Sequence, residues 1–113
     1  MMKIRNKFRY AAKGLKILLK DSSVLLQTGI AVIAVAASFL FHFEDYEKLA
    51  VFILCVIVIG TECVNSVVEY MAEQMDPAKD PAIGKIKDMM AGAVLCVSIG
   101  ALIAGVWMLL RHI

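Results

Sequence analysis

The chain has 113 residues, of which 61% are apolar and 19% charged, with a mean hydropathy of +0.79. That length allows one domain, and that composition excludes an ordinary water-soluble one, in which about half of the residues are apolar. The formal net charge of +2 gives no reason to invoke nucleic acid, so the basic residues are assigned to a membrane surface.

Seven of the twelve lysines and arginines lie in the first 20 residues: Lys3, Arg5, Lys7, Arg9, Lys13, Lys16 and Lys20. Ile4, Phe8, Ala11, Leu15 and Leu18 recur at helical spacing on one side, and Arg9, Lys13, Lys16 and Lys20 on another. This pattern predicts an amphipathic helix over 4–20 that lies on the membrane and turns its basic face to anionic headgroups. A cleaved signal peptide, with Ala34-Val35-Ala36 as cleavage site, is the rival reading. It is disfavoured because the basic part is long and its charges are spaced helically instead of clustered at the start.

Three apolar stretches follow. Ser22–Phe43 holds 22 residues without a charge, Leu49–Val68 holds 20 with Glu62 as its only charge, and Met89–Leu110 holds 22 without a charge. About 20 apolar residues suffice for a helix to cross the hydrocarbon core, and an open sheet there would leave backbone groups unpaired. The fold class is therefore an all-α membrane protein, one domain over 1–113, with transmembrane helices at 22–43, 49–69 and 86–110.

The turn "HFEDYEK" (42–48) has one lysine against Glu44, Asp45 and Glu47, whereas the 70–88 loop carries Lys79, Lys85 and Lys87. The positive-inside rule puts the N-terminus and the 70–88 loop in the cytoplasm, and the 42–48 turn and the C-terminus outside. His42 and His112 then fall at outer ends of spans, and Trp107 and Arg111 at the outer interface. Pro77 and Pro81 in "QMDPAKDPAIGK" predict that the second helix runs to about Asp76 and the third restarts near Ala82. In the third span, Gly100 with Ala104 and Ala101 with Gly105 give small-xxx-small faces for close helix packing. Cys55, Cys63 and Cys96 lie within spans without metal-ligand spacing and read as packing residues.

The informative stretch is "GTECVNSVVEYMAEQMD", from Gly60 to Asp76. At helical periodicity Glu62, Asn65, Glu69, Glu73 and Asp76 share an arc of about 80°. A carboxylate well inside a span costs roughly 2.5–3.5 kcal/mol and normally faces protein or a polar cavity. Held there, Glu62 suits general-base chemistry. The purely structural alternative is a helix-packing hydrogen-bond network of Glu62 with Asn65, and Glu73 and Asp76 need no more than the water boundary. Two carboxylates and an amide facing one side suit Mg²⁺, which takes one or two carboxylates plus substrate phosphates. Ahead of the third span stand Lys85, Lys87 and Asp88 in "GKIKDMMAGAV". Lys87 alone can snorkel, but beside Asp88 and facing an acidic helix it can pair with phosphates. The sequence has no G-x-x-x-x-G-K-[ST] loop and no soluble-kinase motif, so any ATP is handled without a standard nucleotide domain.

The element Glu62-x-x-Asn65-Ser66-x-x-Glu69, followed 18 residues later by Lys87-Asp88 and then Ala91-Gly92-Ala93-Val94, resembles the small bacterial integral-membrane diacylglycerol kinases, which include undecaprenol kinases. The resemblance extends from "FRYAAKGLK" (8–16) through the third span. It implies three-span subunits with an amphipathic N-terminal helix, assembled as homotrimers in the bacterial inner membrane with shared sites at the cytoplasmic boundary. It implies transfer of the γ-phosphoryl of MgATP to the hydroxyl of diacylglycerol, giving phosphatidic acid, or of undecaprenol. By the same resemblance Glu62 is the catalytic base, Glu69 a metal-binding carboxylate, Asn65 an orienting residue, and Lys87 and Asp88 nucleotide contacts.

The chain departs from that family at Ser22, where the family has a metal-binding Glu, and "DSSVLLQT" (21–28) lacks the usual polar and basic residues, although Gln27 matches one form of it. Asp21 is one position off, about 100° around a helix, and is expected to serve as the second metal carboxylate through a local shift, the alternative being weak metal affinity or a crippled enzyme. Val67 for Ala and Glu73 for Asp are milder departures. One three-helix subunit is too thin to enclose ATP and a lipid headgroup together, so an oligomer is expected on that ground also. The readings from other classes are a proton-coupled transporter carrying protons on Glu62, and a non-catalytic assembly protein that binds no nucleotide. The polar residues gather at one end of the second helix, which counts against the transporter.

Overall fold

The computed structural model describes residues 3–75 and 80–113, and among these it contains helices and no strand. The helices are α1 (Ile4–Leu18), α2 (Ser22–Leu40), α3 (Asp45–Glu73) and α4 (Pro81–Leu110). α2, α3 and α4 are each long and apolar enough to cross a membrane. α3 lies between the other two and packs against both.

α1 ends at Leu18, two residues short of the 4–20 expectation, because the chain tightens there: Lys20 N–H donates to Ile17 at 3.1 Å and Asp21 N–H to Leu18 at 3.0 Å. No residue of α1 is buried. Asp21 then caps α2, its Oδ1 accepting from the backbone of Ser23 at 2.9 Å and Val24 at 3.2 Å. These bonds satisfy two of the donors that a helix start leaves without intrahelical partners.

α2 ends at Leu40 instead of at 43. His42 adopts φ 55°, His42 N–H donates to Phe39 at 3.2 Å and Phe43 N–H to Ser38 at 3.0 Å. That pair of bonds is a Schellman stop, made here without the usual glycine. α3 opens four residues earlier than the 49–69 expectation on a capping box, in which Glu44 and Glu47 each bond the other's backbone. It ends at Glu73 with Gln74 as cap, and Asp76, Pro77 and Lys79 lie outside the described residues. α4 begins at Pro81, five residues before the expected span and close to the expected restart at Ala82. Pro81 initiates the helix, and Asp80 caps it by accepting from Ala82 N–H at 3.0 Å.

The buried apolar residues among those described are few: Val24, Phe43, Val51, Ala72 and Ile83. Large apolar side chains such as Ile33, Leu40 and Trp107 stand outward, as lipid or further protein requires. Three hydroxyls within the helices turn back on their own backbone: Thr28 donates to Val24 at 2.8 Å, Ser38 to Val35 at 2.6 Å and Thr61 to Ile57 at 2.7 Å.

Candidate active site

The polar stripe of α3 crosses from the enclosed part of the bundle to its surface. Glu62 is 6% exposed and Asn65 and Ser66 are 9% exposed, whereas Glu69 and Glu73 are open. One nitrogen joins the two carboxylates: Asn65 Nδ2 donates to Glu69 Oε1 at 3.2 Å and, over a longer 3.4 Å, to Glu62 Oε1. An amide NH₂ carries two hydrogens, so it can serve both acceptors at once. The arrangement follows from spacing, because residues three and four apart are neighbours on a helix face. Ser66 lies on the same side, and its buried Oγ has no hydrogen-bond partner among the described residues.

The other predicted residues are placed as follows. Asp21 is half-buried at the start of α2, with Oδ1 engaged in capping. Lys87 and Asp88 are exposed on the second turn of α4, and among the described residues no hydrogen bond or ion pair ties them to the stripe. Among the described residues, no three His, Cys, Asp or Glu side chains converge as a metal group. One or two carboxylates with an amide fit a Mg²⁺ that is shared with substrate phosphates, and they do not fit an all-protein metal cage.

An apolar cleft of about 460 Å³ runs between α2, α3 and α4, lined among others by Gln27, Ala34, Cys55, Val58, Ser98 and Leu109. Val58 is one helical turn from Glu62, so one end of this cleft approaches the stripe.

A second polar cluster occupies the opposite end of α3, about 22 Å from Glu62. Glu47, which is 1% exposed, accepts from Arg111 Nη1 at 3.2 Å through Oε2 and meets His112 Nε2 at 2.7 Å through Oε1. Arg111 also donates to the Tyr46 hydroxyl at 3.1 Å, and the His112 ring stacks on Phe43 at 4.8 Å. The Tyr46 hydrogen bond and the Glu47 carboxylate hold the Arg111 guanidinium above its ordinary pKa. In the sequence Glu47 stands only as one of three acidic residues of the 42–48 turn, with His112 at the outer end of a span and Arg111 at the outer interface. The available signal was topological: three crossings return the C-terminus to the end that carries the 42–48 turn.

Residues 9–109 match the prokaryotic diacylglycerol kinase family. The chain belongs to that family. Neither a curated protein nor a solved structure matches it. Membership confirms the resemblance carried by the Glu62–Glu69 element and Lys87-Asp88, and it makes the three long apolar helices those of a multi-pass membrane protein in a family of lipid kinases.

Proposed function

We propose that this chain transfers the γ-phosphoryl of MgATP to the hydroxyl of a membrane lipid, diacylglycerol to give phosphatidic acid, with undecaprenol as the alternative acceptor. The observation that carries the reading is the buried Glu62 joined through Asn65 to the exposed Glu69. A lipid hydroxyl arrives from the apolar side and a nucleotide from water, and this stripe bridges the two.

In the proposed mechanism Glu62 accepts the proton of the lipid hydroxyl as its oxygen bonds to the γ-phosphorus and the bond to the ADP oxygen breaks. Asn65 holds the base and the outer carboxylate in register. Lys87 offsets charge on the phosphates, and Asp88 orients Lys87 or the nucleotide. Magnesium, when bound with ATP, supplies charge neutralisation, with Glu69 and Asp21 as its protein carboxylates. Phosphoryl transfer demands mainly such positioning and neutralisation. The apolar cleft beside Val58 suits a lipid tail.

The same reading puts the N-terminus and the site on the cytoplasmic side of a bacterial inner membrane, with α1 lying on the bilayer surface. It also takes the active form as a homotrimer. Lys87 and Asp88 have no tie to the stripe of their own chain among the described residues, and the outward apolar faces and small-residue faces of α4 suit neighbouring copies. Transfer of label from ATP in mixed micelles, with diacylglycerol and undecaprenol offered separately, tests the function. Labelled lipid supports the reading and its identity names the acceptor; an assembled, folded protein that labels neither contradicts it.

A further inference from the structure

We infer that Ser66 is a further catalytic residue, its hydroxyl donating a hydrogen bond to an oxygen of the phosphoryl group in transfer. The inference rests on the kinase reading above. Thr28, Ser38 and Thr61 show the partner within reach of a hydroxyl in these helices, a carbonyl three or four residues back. Ser66 does not take it, although it is nine-tenths buried. A buried hydroxyl left without a partner is costly, and native structures rarely keep one without a use.

Its place points to that use. Ser66 is four residues after Glu62 and three before Glu69, so it neighbours both on the helix surface. On the helical wheel it falls about 40° to one side of Glu62, and Asn65 about 60° to the other. Asn65 and Ser66 therefore bracket the two carboxylates, and of the two only Asn65 is spent on bonding them. The reacting phosphoryl must lie between the oxygen deprotonated at Glu62 and the magnesium-facing Glu69, which are about 10 Å apart along the axis. Ser66 stands between those levels.

As the lipid oxygen–phosphorus bond forms and the bond to ADP breaks, the proton passes to Glu62 and the electron pair leaves with ADP. Ser66 keeps its own proton throughout. Negative charge spreads over the equatorial oxygens in such a transition state, and a buried, pre-placed donor acts more strongly there than on bound substrate. The signature is a loss in kcat with little change in KM.

The test compares Ser66→Ala, Ser66→Val and Ser66→Thr in the full chain, assayed with MgATP and the preferred lipid in mixed micelles, with oligomer size measured alongside. Ser66→Ala and Ser66→Val are expected to lower kcat on the order of 10- to 100-fold, as loss of a hydrogen bond to a charged group does. The KM for ATP should stay within about twofold and oligomer size should be unchanged, while Ser66→Thr, which keeps the hydroxyl, retains most activity. Wild-type kcat in Ser66→Ala would overturn the assignment and leave the kinase reading standing. So would losses in all three variants accompanied by altered oligomer size, because the hydroxyl would then serve packing between copies. Absence of transfer by the folded wild-type chain to either lipid would overturn the kinase reading, and this inference with it.

Discussion

The side-chain amide of Asn65, itself buried, donates to the exposed carboxylate of Glu69 at 3.2 Å. The outer carboxylate is thereby held from inside the bundle, by the residue that also reaches Glu62. Asn65→Ala should lower kcat about tenfold or more, the cost of losing charge-assisted bonds that position both groups. Asn65→Asp should do worse, since it replaces the donor with a third negative charge and sets like charges side by side. Steady-state kinetics of the two variants check the order.

Asp21 caps α2 through Oδ1, and its proposed metal role is separable from that cap. Asparagine caps as well as aspartate, whereas alanine costs about 0.5–2 kcal/mol of helix stability. Asp21→Asn should therefore leave thermal stability unchanged while shifting activity to higher Mg²⁺ concentration. A Mg²⁺ titration that matches the wild type would rule Asp21 out as a metal carboxylate.

Lys87 stands exposed on α4. Lys87→Met should raise the KM for ATP and lower kcat, because the phosphates lose a positive partner. Lys87→Arg should recover part of both, the charge being kept while the geometry changes. Competition between ATP and a non-hydrolysable analogue in Lys87→Met would show the weakened nucleotide binding directly.

At the other end of the molecule Glu47 ties the last residues of the chain to the start of α3. Glu47→Ala and Arg111→Ala should each lower the detergent-phase Tm by several degrees. The double substitution should lose less than the sum of the singles, since removing one partner strands the other. Rates measured below those melting temperatures should stay near wild type, because this cluster lies about 22 Å from Glu62.

The stripe was legible in the sequence because helical periodicity alone sets Glu62, Asn65 and Glu69 on one face, and the bonds between them are three and four residues long. The three apolar spans were legible for the same local reason. The end of α2 was not: Phe41-His42-Phe43 looks like a continuing apolar run, and the stop is made by His42 at φ 55° without a glycine to announce it. The Glu47 cluster was hidden too, since Arg111 and His112 lie 64 and 65 residues from Glu47 and only the fold joins them. Ser66 was visible as part of a motif, but its lack of a bond is a property of the packed structure.

The most direct measurement is the rate of phosphoryl transfer by Glu62→Gln beside the wild type, with nucleotide binding and oligomer size measured on the same samples. Glutamine keeps the shape and a hydrogen-bonding group but cannot take the proton, so turnover should be abolished while MgATP still binds and the assembly stays intact. An intact Glu62→Gln assembly that transfers phosphate at the wild-type rate would contradict the assignment of Glu62 as the base.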